Sequence, residues 1–143
     1  MQRKYRLAIS MIREFEGFHA EPYVCPAGVL TIGWGRTELV MPGDVTTKLA
    51  EAEWLLDKVK DINDVINQVV NPYQTPEQMA ALISFSYNVG TSALRRSTLV
   101  KRINSYDSHA SDEFLRWVKA NGLTLPGLVR RRRAEKSLYD SVI

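Results

Sequence analysis

The sequence predicts an α+β protein that is mostly helical, with a small β lobe and a larger helical lobe joined by a long helix. Apolar residues recur at helical spacing over most of the chain. Between Phe18 and Pro42, by contrast, glycines and prolines interrupt short β-prone pieces, which is typical of a small irregular sheet. The length suits one domain over 1–143, and we expect its β lobe at about 15–46 and its helical lobe at about 72–143.

The first helix is predicted from Tyr5 to Glu16, because its apolar side chains fall on one face at helical spacing. Gly17 follows directly and is the residue type that ends helices in a left-handed cap. In the β region after it, the most strand-like piece is Val29–Ile32.

The long helix is predicted to begin after Thr47, which serves as its N-cap, and to end at Asn71-Pro72. A third helix should begin at Thr75, since a cap residue, a proline at the first helical position and a glutamine three residues after the cap follow one another there. It runs toward Gly90. Three further helical segments are expected: Thr98–Asn104, Ser111–Ala120 and Gly127–Tyr139.

Composition excludes some classes of protein and leaves others open. Apolar residues make up 45% and charged residues 24%, which excludes a disordered chain. No apolar run reaches the roughly 20 residues of a membrane-spanning helix, and the N-terminus lacks a signal peptide's apolar core, so we expect a cytoplasmic start. Cys25 is the single cysteine, and the net charge of +3 favours an anionic partner without identifying it.

Glu16 occupies a position where helices usually carry a basic residue. The helix dipole is negative in the last turn, and Phe15 and Phe18 flank the carboxyl group, so its ionised form should be disfavoured. A general acid that works near neutral pH needs this property. The position alone favours the other interpretation, a solvated surface glutamate that tolerates a poor position.

The stretch that starts at Glu16 resembles the catalytic region of the bacteriophage-type lysozymes, glycoside hydrolase family 24. In that family a glutamate is followed after eight residues by Asp or sometimes Cys, and after five more by Thr. Here these positions are Glu16, Cys25 and Thr31, followed by Ile32-Gly33-Trp34-Gly35. Two later blocks, Ala81–Gly90 and Gly127–Glu135, resemble the family in the same order.

The resemblance implies a lysozyme-like fold and a role for each matching residue. Glu16 would protonate the leaving glycosidic oxygen, while Cys25 and Thr31 would hold or activate the water that attacks from the opposite face with inversion. Arg131 would pack toward the catalytic glutamate as a supporting residue. Four residues match substrate-binding positions of the family's cleft: Tyr87, Asn88, Gly90 and Ser97.

Cys25 departs from the commoner aspartate of the family, and three interpretations of it remain open. It could be a polar group beside the water, a base whose pKa is lowered by its surroundings, or a nucleophile. Gly33 and Gly35 are expected to allow tight turns rather than to contact sugar.

The resemblance further implies an endolysin, a muramidase that hydrolyses the β-1,4 bond between N-acetylmuramic acid and N-acetylglucosamine and lyses the host cell. We expect peptidoglycan strands as substrate, no metal or cofactor, no nucleic-acid partner, no membrane anchor and a monomer. The protein should stay in the host cytoplasm until a separate holin-like protein releases it to the cell wall in the periplasm.

Three alternatives remain. A lytic transglycosylase would use Glu16 alone and form anhydro products. A cysteine-dependent peptidoglycan peptidase or amidase would use Cys25 as nucleophile and His109 as base. A non-enzymatic, basic wall- or nucleic-acid-binding module would leave the carboxyl in the last helical turn unexplained. His19, His109 and Cys25 show no metal-ligand spacing.

Overall fold

The computed structural model describes residues 1–141, in which helices surround a central helix and a β hairpin lies to one side. The α-helices are α1 (Arg3–Glu16), α2 (Lys48–Val69), α3 (Pro76–Val89), α4 (Thr91–Arg96), α5 (Thr98–Asn104) and α6 (Pro126–Asp140). A 3-10 helix spans Ala110–Arg116, and the strands are β1 (His19–Val24), β2 (Leu30–Gly33), β3 (Lys119–Ala120) and β4 (Leu123–Thr124). The predicted α+β, predominantly helical class is confirmed.

Two predicted helix starts, at Thr47 and Thr75, are confirmed in atomic detail. The Thr47 side chain accepts a hydrogen bond of 3.2 Å from the backbone N–H of Ala50 and so caps α2. At the start of α3, Thr75 and Gln78 form a capping box in which each side chain bonds the other residue's backbone N–H.

The core centres on α3, which packs against α1, α2 and α6. Six consecutive residues of this helix, from Ala80 to Phe85, are fully buried. A helix buried on all faces lies inside the protein rather than on its surface. One of the six is Ser84, so α3 carries a polar group into the interior between α1 and α6.

The hairpin formed by β1 and β2 follows directly from α1. The strands pair antiparallel with Tyr23 opposite Thr31, and the register is irregular between His19 and Tyr23. The turn between the strands is closed by a hydrogen bond of 2.8 Å from the Gly28 N–H to the Cys25 carbonyl. Gly28 has φ +82°, which a glycine adopts without strain. This short turn places Cys25 and Thr31 on the same small hairpin.

The prediction of one helical segment over Ser111–Ala120 is wrong in its second half. The 3-10 helix ends at Arg116, and Lys119–Ala120 pairs with Leu123–Thr124 as a two-residue hairpin. The reason is the turn Asn121-Gly122, where both residues have positive φ as tight hairpin turns require.

Helix α4 was not predicted, and α1 begins two residues before Tyr5. Within 1–141, no helix combines the length and the apolar character needed to cross a membrane.

Candidate active site

The carboxylate of Glu16 lies at the end of α1, as predicted, and is ion-paired. Gly17 ends the helix with φ +67°, and its N–H donates to the carbonyl of Arg13. The Oε2 atom of Glu16 accepts a hydrogen bond of 2.6 Å from Nη1 of Arg131. Phe15 contributes its ring on the far side of the same guanidinium. The carboxyl is therefore not isolated among aromatic rings, as the sequence suggested, but sits against a buried cation.

Gly35 forms the opposite wall of the Glu16 site. It adopts φ +90°, and a Cβ atom added there would lie 2.7 Å from Oε1 and 2.9 Å from Cδ of Glu16. Backbone and carboxyl thus approach as closely as a glycine permits. The positive φ of Gly35 agrees with the expected turn. The structure shows a second reason for a glycine at this position, because a side chain here would occupy the space of the Glu16 carboxyl.

Arg131 was predicted as a supporting residue, and the structure shows how it is held. Its side chain is 3% exposed, and Nη2 donates to the carbonyl oxygen of Ser84 at 3.1 Å. The neighbouring side chains of Arg132 and Glu135 are also fully buried. The sequence did not identify Ser84, Arg132 and Glu135 as part of the site. The signal that could have indicated an ion-pair cluster is the spacing on α6, where Glu135 follows Arg132 at i+3 and Arg131 at i+4.

Thr31 and Cys25 lie on the same hairpin, Thr31 in β2 opposite Tyr23 and Cys25 in the turn after β1. The Cys25 N–H donates a hydrogen bond of 3.0 Å to the carbonyl of Val29. Thr31 is buried, and its Oγ1 donates a hydrogen bond of 2.8 Å to the same carbonyl. Cys25 is half-buried. Burial of the thiol disfavours its ionisation, but hydrogen bonds from the Val29 and Ala27 backbone outweigh this and lower the pKa of Cys25.

Tyr23 connects the two halves of the site. It pairs with Thr31 across the hairpin, and its ring packs on His19 with 4.0 Å between centroids. Burial, and then the negative charges of Glu16 and Cys25, raise the pKa of Tyr23. The charges of both candidate catalytic groups thus act on the same phenol. Its position opposite Thr31 in the hairpin is the signal that could have identified it.

A cavity of about 450 Å³ continues the site along α3. Tyr87 and Gly90 line it, together with Gly35 and Trp54. The hydroxyl of Tyr87 donates a hydrogen bond of 2.7 Å to the carbonyl of Trp34, so it joins α3 to the loop after β2. Burial, and then the charge of Glu16, raise the pKa of Tyr87, which keeps this phenol neutral.

The other two predicted substrate-binding residues lie elsewhere. Asn88 is exposed, and its side-chain oxygen accepts a hydrogen bond from Arg132. Ser97 is 3% exposed and is the N-cap of α5, where its hydroxyl accepts from Val100 N–H at 3.1 Å and donates to the Leu94 carbonyl at 2.7 Å. The hydroxyl is thus engaged in this cap, and a role of Ser97 in substrate binding stays a prediction.

A second buried carboxylate, Glu51, supports the β lobe and was not predicted. It accepts hydrogen bonds from Nε and Nη2 of Arg36 at 2.9 and 3.0 Å and from the Thr46 hydroxyl at 2.7 Å. Burial raises its pKa, but these bonds outweigh burial and lower it. A Cβ atom on Gly33 would lie 2.4 Å from Oε1 of Glu51, so this glycine also makes room for a carboxylate.

The rim of the site is bridged at one point. The side chain of Asn121, in the β3–β4 turn, donates a hydrogen bond of 2.9 Å to the carbonyl of Pro26, next to Cys25. These residues lie 95 positions apart in the chain. The helical lobe therefore contacts the hairpin at its turn as well as through Tyr87.

The described residues 1–141 contain no group of three or more side chains that could hold a metal ion. His109 is exposed before the 3-10 helix, where its backbone N–H donates to Asp107. A second cavity, of about 490 Å³, is lined by the start of α1 and the α2–α3 loop and includes none of the predicted site residues.

Comparison with known proteins agrees with this geometry. The chain is 38% identical over 136 residues to the endolysin of Acyrthosiphon pisum secondary endosymbiont phage 1, covering 92% of this chain and 93% of that protein. It resembles the muramidase domain of SpmX from Asticaccaulis excentricus with a TM-score of 0.86 and 30% identity, over 96% and 97% of the two chains. The endolysin from Escherichia coli O157:H7 phage FAHEc1 gives a TM-score of 0.84 and 31% identity, over 96% and 93%.

The family model described as phage lysozyme matches residues 13–135, a span that contains Glu16, Cys25, Thr31 and Arg131. The chain therefore belongs to the phage lysozyme family and is a glycoside hydrolase of the lysozyme type.

Proposed function

We propose that the protein is an endolysin that hydrolyses the β-1,4 bond between N-acetylmuramic acid and N-acetylglucosamine in bacterial peptidoglycan, with inversion, to lyse the host cell. The observation that carries the proposal is the placement of Glu16 between Gly35 and Arg131, with Cys25 and Thr31 on the hairpin that follows directly from α1. An acid on one side and a water-binding pair on the other is the arrangement an inverting glycosidase needs.

Glu16 is the general acid. As the bond between the anomeric carbon and the glycosidic oxygen breaks, the carboxyl group transfers its proton to the leaving oxygen. The walls formed by Gly35 and Arg131 restrict the carboxyl to one orientation. After proton transfer the resulting carboxylate is stabilised by the guanidinium that it contacts at 2.6 Å.

Thr31 orients the attacking water as a hydrogen-bond acceptor. Its single hydroxyl hydrogen is donated to the Val29 carbonyl at 2.8 Å, so the Oγ1 lone pairs remain for a water molecule. A water that donates one hydrogen to Thr31 keeps its own lone pair free for the anomeric carbon.

Cys25 takes the second proton of that water. Burial opposes ionisation of the thiol, but hydrogen bonds from the Val29 and Ala27 backbone outweigh it and lower the pKa of Cys25, which increases its thiolate fraction and suits it to act as a base. In the balanced step, water forms the new carbon–oxygen bond, its proton passes to the thiolate, and the proton of Glu16 leaves with the departing sugar. Cys25 thereby replaces the aspartate that is commoner in the family.

The sugar chain would extend into the cavity of about 450 Å³ next to the acid, where Trp54 and Tyr87 offer aromatic rings and Gly90 offers backbone. We propose that the chain works as a monomer and as one catalytic domain; the predicted domain over 1–143 includes two terminal residues outside the described range. It would be stored in the host cytoplasm, released by a separate holin-like protein, and act on the wall in the periplasm.

The test is mass spectrometry of the fragments released from purified peptidoglycan by the protein and by its Glu16→Gln variant. Muropeptides that end in a reducing N-acetylmuramic acid, absent with the variant, would support the proposal. Anhydro ends would identify a lytic transglycosylase instead. Cleaved peptides with intact glycan strands would make Cys25 a nucleophile and overturn the assignment.

A further inference from the structure

A network of buried charges lies directly behind Glu16. It consists of Arg131, Arg132 and Glu135 on α6 and Ser84 on α3, and we call it the α6 network. The exposed fractions of these four side chains are 3%, 0%, 0% and 0%. Burial of a charge to this degree costs several kcal/mol of folding free energy unless the charge is paired. The ion pairs inside the network therefore determine whether the protein tolerates these buried charges.

The carboxylate of Glu135 is the centre of the α6 network. Its Oε2 accepts hydrogen bonds from Nε of Arg131 at 3.3 Å and from the Ser84 hydroxyl at 2.7 Å. Its Oε1 accepts from Nη1 of Arg132 at 2.8 Å. Glu135 thus bridges two guanidinium groups, and only one of them, Arg131, reaches on to Glu16.

The charges of the α6 network and Glu16 balance. Arg131 and Arg132 contribute two positive charges, while Glu135 and Glu16, when ionised, contribute two negative ones. Burial raises the pKa of Glu135, and the charges of Arg132 and Arg131 and the Ser84 hydrogen bond oppose this. Without Glu135, a lone carboxylate would face two guanidinium groups in a site largely shielded from water. An excess of positive charge within a few ångströms favours the ionised form of a carboxyl group. Glu16 would then retain its proton only at lower pH.

We propose that Glu135 is a positioning residue for the general acid: its carboxylate holds Arg131 against Glu16 and cancels the charge of Arg132. This inference rests on the role of Glu16 under Proposed function. Glu135 does not touch the reacting atoms and acts through Arg131.

The other groups that face Glu16 do not replace this charge. From α3 it is approached by Tyr87 and from β1 by Tyr23, and raised pKa values keep both phenols neutral. After β2 the neighbour is the backbone of Gly35, and His19 lies near Gly17 at the helix end. Variation of charge in the α6 network is therefore the most direct way to change the protonation of Glu16.

Two substitutions with opposite expected effects test the proposal. Glu135→Gln removes a negative charge, so the alkaline limb of the kcat–pH profile should move to lower pH by roughly one unit or more, with KM little changed. Arg132→Met removes a positive charge and should move the same limb to higher pH. If one of the two variants does not fold, the other still tests the proposal, because the expected direction of its pH shift is defined.

The matched control is Glu113→Gln. Glu113 is 4% exposed and pairs with two arginines, Arg102 at 2.8 Å and Arg116 at 3.1 Å, on the 3-10 helix away from Glu16. Its loss should lower thermal stability and leave the pH profile superposed on that of the unmodified protein. Unshifted profiles in Glu135→Gln and Arg132→Met, together with an unshifted titration of the Glu16 carboxyl, would overturn the proposal.

A ¹³C NMR titration of the Glu16 carboxyl separates this proposal from the proposed function. Its signal can be assigned by its absence in Glu16→Gln. If the titration midpoint moves in the variants while the activity profile does not, the α6 network acts on Glu16 as proposed and Glu16 is not the general acid. An unmoved midpoint would overturn the inference about Glu135 whatever the activity.

Discussion

Substitution of Gly35 by alanine should separate catalytic geometry from stability. The added Cβ would lie 2.7 Å from Oε1 of Glu16, whereas ordinary van der Waals contact begins at 3.4 Å. The carboxyl must therefore move by about 0.7 Å or turn away from Arg131, and displacements of about 1 Å in a catalytic group can cost about 100-fold in rate. We expect kcat to fall by about that factor.

Backbone strain contributes separately to the same variant. Gly35 has φ +90°, and alanine in a left-handed conformation costs about 1–2 kcal/mol. The matched control is Gly43→Ala, because Gly43 has φ +88° and no atom within 4 Å of the added Cβ. This control carries the strain without the contact with Glu16.

The assay compares kcat on purified cell walls and the melting temperature of both variants. Both should melt several degrees lower than the unmodified protein, and only Gly35→Ala should lose about 100-fold in kcat. If the two variants lose activity equally, or if Gly35→Ala keeps its kcat, the carboxyl of Glu16 does not depend on the space that Gly35 leaves.

Three further predictions concern the acid, the β lobe and a helix cap. Glu16→Gln should reduce kcat by roughly 10²–10⁴-fold and Cys25→Ala by much less; equal losses would contradict the assigned roles. Glu51→Gln should destabilise the protein by roughly 3 kcal/mol in chemical denaturation. Because pairing with Arg36 lowers the pKa of Glu51, this difference should be complete above the ordinary carboxyl pKa and shrink as pH falls through the lowered one; a pH-independent difference would argue against it. Ser97→Ala should cost about 1 kcal/mol in stability while kcat stays unchanged. A loss of activity without loss of stability would instead indicate that Ser97 binds substrate.

Helices with local start signals could be predicted from the sequence, and turns that depend on two residues together could not. Thr47 and Thr75 act within one helical turn, so their role is readable from neighbouring residues. The β3–β4 hairpin depends on positive φ at both Asn121 and Gly122. The apolar pattern of the preceding residues also fits a helix, and the prediction followed that pattern. The helical interpretation of Ser111–Ala120 therefore extended too far.

The same division applies to the site. Glu16 and Arg131 could be proposed because a helix end and a motif mark them, and they lie 2.6 Å apart in the structure. Glu135 and Glu51 could not, because an acidic residue on a helix is ordinarily solvated and only tertiary packing buries it. The cap formed by Ser97 could not be predicted for a related reason, since serine serves both sugar binding and helix capping and the sequence does not distinguish the two.

The hydrogen bond between Asn121 and Pro26 joins the β3–β4 turn to the turn of the β1–β2 hairpin, next to Cys25. One neutral hydrogen bond near solvent contributes only about 1 kcal/mol, so the bonded arrangement is favoured by roughly fivefold over the open one. The two turns therefore separate spontaneously for part of the time, and the surroundings of Cys25 on this side change with them.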